Sequence, residues 1–324
     1  MKILHVSYHK GCIGDINNVA RLLNLDVSVM KADWDYLITH DRAADIWKKY
    51  KEYFNTFDTI LTSDTAPLSR IFLQNNYSGK LIIWICNRFD YPNRDGFPDS
   101  EYFSLWNNNL NNEKVKLISY TPFEYLYARQ RGVNLSDFTI KPISGITQKE
   151  LVSSIPESVD KKSSFFIPPY HNDTIYMNLH QKCLLMGIPC YTGRYSGPLD
   201  LQDFKGIIHI PYAWSNLALF EGINLGIPYL IPSSDFLIEL SHISNFFWSP
   251  PFQIPNLKYS EWYCEEFSNV FVYFNSWEDL SNKIKSINYE EIKNNLKIIS
   301  KKHHITQLEK WSKIFNISER DKND

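Results

Sequence analysis

Along the chain, short apolar runs alternate with stretches whose apolar positions recur at helical spacing. Residues 2–8 (KILHVSY), 26–30, 58–64, 80–88 and 116–122 read as strands, and 139–145 closes the series. Between them, 15–23, 43–57, 68–76 and 123–132 read as helices; in 43–57, Ile46, Tyr50, Tyr53, Phe54 and Phe57 share one face. The polar, Ser-rich stretch 148–164 then interrupts the pattern as a linker. It restarts with strands at 165–169, 188–193, 206–213, 227–233 and 269–276, and helices at 172–187, 215–226 and from 277 onward. Strands alternating with helices predict parallel sheets built from β-α-β units. The fold class is therefore α/β, with two Rossmann-like β/α/β domains facing a central cleft. The expected bounds are 1–155 and 156–300, followed by a C-terminal segment 301–324. Such sheets bind ligands at the carboxyl ends of their strands, which makes the cleft between two of them the expected site.

Charge narrows the partners. The 324 residues carry 34 Lys plus Arg against 36 Asp plus Glu, a formal net charge of -2. Phosphate-backbone binding needs clustered excess positive charge, so nucleic acid is excluded as the main partner. No apolar run reaches the roughly 20 residues that span a bilayer. The opening MKILHVSYHKG lacks the long apolar core of a secretory signal. Five scattered cysteines without a C-x-x-C pair point to reduced thiols and a cytoplasmic protein, with a peripheral place at a membrane face as the alternative. Aromatic content of 15% serves core packing or, functionally, stacking of sugars or bases. No G-x-G-x-x-G follows an expected strand, which removes nicotinamide dehydrogenases. Asp33-Trp34-Asp35 has the letters of a metal motif but falls between a strand and a helix of the first domain, so no metal or other cofactor is expected. His303 and His304 are neighbours on a helix, cannot face one ion, and read as solvated surface.

The segment richest in chemistry is 211–233, PYAWSNLALFEGINLGIPYLIPS. It reads as strand, loop, a helix capped at Ser215, and a strand restarting after Gly226 and Pro228. The helix start offers unsatisfied N–H groups to an anion. Glu221, six residues on, could accept from the vicinal hydroxyls of a ribose. Candidate acid–base groups are His9, Asp15, Asp64 and Asp90, each at an expected strand end or first helical turn. Asp15 could equally cap the first helix, and Asp90 could be a turn residue before Tyr91-Pro92.

Residues 211–233 resemble the donor-binding signature of GT-B fold glycosyltransferases of the group-1 family. Pro211, Glu221, Gly226 and Pro228 match it; Gly222 stands where Ala is usual, and Ala213 where the family has a first Glu. Segment order agrees: 117–146 resembles the end of the family's first domain, 80–93 its acceptor-side loop, and the tail through Phe315 the helices that cross back to that domain. The resemblance implies transfer of a sugar from a UDP- or GDP-sugar to a hydroxyl of a glycan or other acceptor, without metal. It implies donor contacts from Glu221, Ser215 and Asn216, and from Gly11 and Gly14 in a Gly-rich loop beneath the diphosphate. The family's Arg and Lys after the first strand of the second domain are absent, leaving His171 or Arg194 to neutralise phosphate. On the acceptor side His9, Asp15 and Asp90 are the catalytic candidates. The missing Glu keeps open a non-catalytic sugar- or nucleotide-binding protein, and paired Rossmann-like domains also serve sugar-nucleotide epimerases.

Overall fold

A computed structural model describes residues 1–91, 99–144, 153–169, 177–243 and 254–317. The chain divides into two compact units: Met1–Gly145 together with Ile305–Asp324, and Ile146–His304.

The first unit holds strands β1 (Ile3–Ser7), β2 (Val27–Lys31), β3 (Thr59–Thr62), β4 (Lys80–Ile85) and β5 (Val115–Ser119) in the order β2-β1-β3-β4-β5. All pairings are parallel; Ile3 faces Val27 on one side and Thr59 on the other, and Leu81 faces Val115. The inner strands are buried almost throughout, which is why they read as continuous apolar runs. Edge strand β2 is half exposed. Helices α1 (Lys10–Leu22), α2 (His40–Phe54), α3 (Arg70–Leu73), α4 (Ser100–Asn109) and α5 (Pro122–Gln130) connect them. Their starts follow local chemistry. Thr39 accepts the Arg42 N–H ahead of α2, and Asp99 that of Tyr102 ahead of α4. At α5, the Thr121 hydroxyl accepts from Phe123 while the Glu124 carboxylate accepts the Thr121 N–H at 2.6 Å, a reciprocal cap.

The second unit repeats the plan. Strands β6 (Phe165–Phe166), β7 (Cys190–Tyr191), β8 (Gly206–Ile208), β9 (Tyr229–Pro232) and β10 (Phe271–Phe274) lie in the order β10-β9-β8-β6-β7, again all parallel. Numbered from its own first strand, this is the same 2-1-3-4-5 order as in the first unit. Helices α6 (Leu179–Leu185), α7 (Leu217–Leu225), α8 (Ser234–Ile243) and α9 (Trp277–Ser286) belong to it. Helix α10 (Tyr289–Phe315) starts in the second unit and ends in the first. Its last turns pack on β4: Trp311 meets Trp84 edge-on at 5.6 Å, and Gln307 accepts the Lys141 N–H at 3.0 Å.

Several sequence expectations shift. Helix α1 begins at Lys10, so Gly11 and Gly14 lie in helical turns and form no loop. Helices α4 and α8 occupy stretches where no element was expected, because their apolar residues bunch over one turn, Tyr102–Trp106 and Phe236–Leu240, and do not recur at helical spacing over several. His303 is buried, stacked on Phe220 at 5.4 Å and near Glu266, and is not solvated surface. The described part of the expected linker is fastened down: Asp200 accepts from the Ser153 hydroxyl, the Ser154 and Ser196 amides, and the Lys161 ammonium at 2.9 Å.

Burial alone would raise the Asp200 pKa, but the bonds from Ser153, Lys161, Ser196 and Ser154 outweigh it and hold the carboxyl at about 2. A depressed pKa contributes stability above the unfolded value near 3.8 that is lost as pH falls toward 2. Asp200→Ala should therefore cost about 2–4 kcal/mol at neutral pH. Urea titrations should show that gap flat above about pH 5 and closing below pH 4.

Candidate functional site

In a sheet of this order the chain leaves β1 in one direction and β3 in the other, and ligands enter the crevice at their carboxyl ends. In the first unit that crevice is lined by the residues following β1, β3 and β4. Ser63, just past β3, ties the strands together. Its hydroxyl donates to Ser7 Oγ at 2.9 Å and lies 2.8 Å from His5 Nε2, while Ser7 Oγ accepts the His9 N–H at 3.3 Å. Burial pushes His5 down to about 3, so it is a neutral structural group.

Above this chain stand His9, Cys12, Asp64 and Cys86. His9 caps α1, its Nδ1 accepting the Gly11 N–H at 3.1 Å. That nitrogen is thereby committed as an acceptor, so the neutral ring keeps its proton on Nε2. The Cys86 thiol donates to Cys12 and lowers its pKa; against the opposing effect of burial, and with help from His9 and Ser63, Cys12 settles near 6. Asp64 is raised to about 7, first by burial and then by the negative charge of Cys12, with His9 opposing. Asp64 also holds φ at +76°. For a residue with a Cβ this left-handed conformation costs on the order of 1 kcal/mol, and strain of this kind collects at functional positions. Beside it Tyr36, 47% exposed, rests on buried Tyr8 at 4.6 Å and meets Tyr91 edge-on at 6.1 Å.

The other first-unit candidates lie deeper. Asp15 is fully buried in the middle of α1, where its Oδ1 accepts the Ile143 N–H at 2.9 Å; the cap of that helix is His9. Asp90 is buried, bonded by the Tyr127 hydroxyl at 3.1 Å and 3.6 Å from Arg131. Burial raises its pKa, against Arg88, Tyr127 and Arg131. The 92–98 loop beyond it is outside the described residues.

In the second unit the crevice is closed on one side by the loop from β8 to α7. Its backbone is pinned from behind: Trp262 Nε1 donates to the Ala213 carbonyl at 3.0 Å, and the Ser260 hydroxyl and Glu261 amide both donate to that of Trp214. Asn216, not Ser215, is the N-cap of α7, and its side chain makes no capping bond. The Ser215 hydroxyl is buried and has no partner among the described residues. The helix thus presents N–H groups uncapped by a side chain beside a spare hydroxyl, an arrangement suited to an anion. Glu221 is half-buried one turn further on. Tyr229 of β9 lies against this turn, with its hydroxyl on the Ala218 carbonyl at 2.9 Å. A Cβ on Gly222 would stand 2.5 Å from its ring, which is why glycine replaces the expected alanine. Burial first, then Tyr195, Glu221 and Tyr212, raise the Tyr229 pKa, so the loop carrying Arg194 and Tyr195 comes within electrostatic reach of Glu221's neighbour. The Arg194 side chain is exposed, and His171 is outside the described residues.

The sequence alone gave no reason to bring Cys12 and Cys86 into the site; a Cys two residues into a helix and another just past a strand become neighbours only through strand order. Among the described residues no three His, Cys, Asp or Glu side chains cluster as a metal site, and no helix is long and apolar enough to cross a membrane.

No family model and no curated protein matches the sequence. Solved structures match in fold. HepE of Anabaena, determined with UDP and glucose, is 13% identical with a TM-score of 0.54 over 98% of this chain and 100% of its own. The spinosyn forosaminyltransferase SpnP is 9% identical, TM-score 0.49, over 96% and 99%. A UDP-GlcNAc 2-epimerase from Neisseria meningitidis, bound to UDP-GlcNAc, is 13% identical, TM-score 0.45, over 96% and 100%. With HepE the chain shares two Rossmann-like units of a divergent GT-B-type fold.

The raised Asp64 pKa has a stability consequence. The folded chain keeps this proton up to about pH 7, whereas the unfolded chain releases it near 3.8. Stability is lost as pH rises between those values. Asp64→Asn should gain on the wild type from pH 4 to 7 and hold a constant advantage above, at most about 4 kcal/mol and so several degrees in melting temperature. Calorimetry from pH 4 to 8 checks this; a pH-independent difference would contradict the assignment.

Proposed function

We propose that the chain is a glycosyltransferase that moves a sugar from a nucleoside-diphosphate donor to an acceptor hydroxyl. The observation that carries the reading is the division of chemistry between two units of identical strand order. One has a near-neutral carboxylate at its switch point, and the other an uncapped helix start followed by a carboxylate. Likeness in fold to HepE, a protein that binds UDP and glucose, supports the same reading.

In this scheme Asp64 is the general base. Its pKa near 7 matches the operating pH, where a base is most effective. His9, with Nδ1 occupied by the Gly11 N–H, keeps its proton on Nε2 as a donor and opposes the rise in the Asp64 pKa. Asp64 takes the acceptor proton, the acceptor oxygen attacks the anomeric carbon, and the bond to the diphosphate breaks. The leaving diphosphate carries the electron pair to the first turn of α7 and to Ser215. Glu221 holds the nucleotide ribose. Asp15 and Asp90 act as structural carboxylates, and no metal is required. Tyr36 and Tyr91 form an aromatic wall beside the acceptor.

Four measurements test this. Glu221→Ala should weaken UDP or GDP binding by about 10- to 100-fold in calorimetry, the loss of a charge-assisted hydrogen bond, while the fold persists. The kcat/KM profile should rise through an apparent pKa near 7. In Cys12→Ala that limb should move to lower pH, because the charge that raises Asp64 is gone. Turnover should survive EDTA. Free nucleotide plus a two-sugar product separates transfer from epimerisation, which leaves the nucleotide attached.

A further inference from the structure

At its other end the first sheet has an open edge. On β5, Tyr120 donates to Ile85 of β4, while Ser119 turns the opposite way, accepting from Ile140 at 3.0 Å and donating to Phe138 at 3.1 Å. Hydrogen-bonding direction alternates along a strand, so Leu117, two residues earlier, also points its N–H and C=O outward. There the covering segment has ended, and among the described residues these two groups have no partner.

This edge forms one wall of a groove of about 830 Å³, lined among others by Lys116, Leu117, Arg129, Leu135, Phe138 and Lys313. Lys116, Arg129 and Lys313 make no ion pair among the described residues; Arg129 donates Nε to the Leu135 carbonyl and stacks over Tyr125 at 4.8 Å. Among the described residues that line the groove, the only acid is Glu113. Lys116 shares a sheet face with Lys80 and Trp84, since it is in register with Ile82. That is the face α10 covers, with Lys80 donating to the Ile314 carbonyl and Trp84 against Trp311. Lys116 and Lys313 therefore flank the same side of the open edge, and Lys116 repels Lys80 enough to lower its pKa further than burial alone.

We infer that this edge docks an extended acidic segment of a partner protein, which adds a strand beside Val115–Leu117. Backbone pairing would satisfy Leu117, and acidic side chains at every second position would meet Lys116 and Lys313. A bare edge takes any strand; three unpaired cations along it select an acidic one. The groove lies at the amino end of β5, away from His9 and Asp64, so docking is independent of the proposed transfer chemistry.

The probe is a fluorescein-labelled peptide of alternating Val and Glu, with a Val–Lys peptide and a version N-methylated at every second residue as controls. Fluorescence anisotropy with the full chain should show saturable binding of the acidic peptide only. Binding should weaken by at least about tenfold in the double variant Lys116→Glu, Lys313→Glu, and likewise on N-methylation. The double variant should keep the wild-type melting temperature and UDP affinity. Absence of saturable binding up to about 1 mM overturns the inference, as does equal binding of the Val–Lys peptide or of the double variant. Self-association in sedimentation that the double variant abolishes would also overturn it, assigning the edge to a second copy of this chain.

Discussion

The Ser63 hydroxyl stands where the first sheet changes direction, and the geometry of the candidate site depends on it. It joins β3 to β1 through Ser7 and His5, and through Ser7 it reaches the backbone of His9, the residue that starts α1. Parallel strands at a switch point diverge toward their carboxyl ends, which opens a crevice but also leaves their terminal polar groups without neighbours. A chain of buried hydroxyls and a neutral imidazole fills that gap without introducing charge. The ionisable groups, Cys12 and Asp64, can then sit one layer higher, where the bond from Cys86 lowers the proton affinity of Cys12 while burial, and then the charge of Cys12, raises that of Asp64.

The second unit solves a different problem with the same strand order. Its β8–α7 loop must leave backbone donors unused, and unused donors are unstable unless the loop cannot move to satisfy them. Trp262, Ser260 and Glu261 hold the loop carbonyls from behind, and Tyr229 presses on α7 at the one position without a side chain. Rigidity is supplied by aromatic packing, which accounts for part of the high aromatic content. Of that content, Trp84, Trp106, Trp262 and Trp311 are all fully buried.

The alternation of elements was legible because inner parallel strands are apolar on both faces and cannot be mistaken for loops. Strand lengths were not. The runs at 80–88 and 206–213 continue past their last ladder residues, Ile85 and Ile208, because the loops beyond are themselves packed. The helix over 215–226 and its end at Gly226 were visible from spacing, since the left-handed turn is a local requirement; its cap was expected one residue early, at Ser215, and Glu221 stood out only through the family resemblance. Asp64 was visible only as one carboxylate among several. What distinguishes it, its positive φ and its closeness to Cys12, arises from contacts between β1 and β3 that no local pattern encodes. His303 misled for the opposite reason: two adjacent histidines on a polar helix look solvated until Phe220 and Phe267 arrive from elsewhere in the chain.

The path of α10 bears on how the molecule is made. The first unit is completed by residues 305–315, which supply the partner of Trp84 and the acceptor for Lys141. During synthesis those residues emerge only after the whole of 146–304. The contiguous second unit can close as soon as it leaves the ribosome, while the first must wait with the β4 face uncovered. Although translated first, the amino-terminal unit is thus the later to finish folding, and its exposed Trp84 surface is where a chaperone would be needed in the interval.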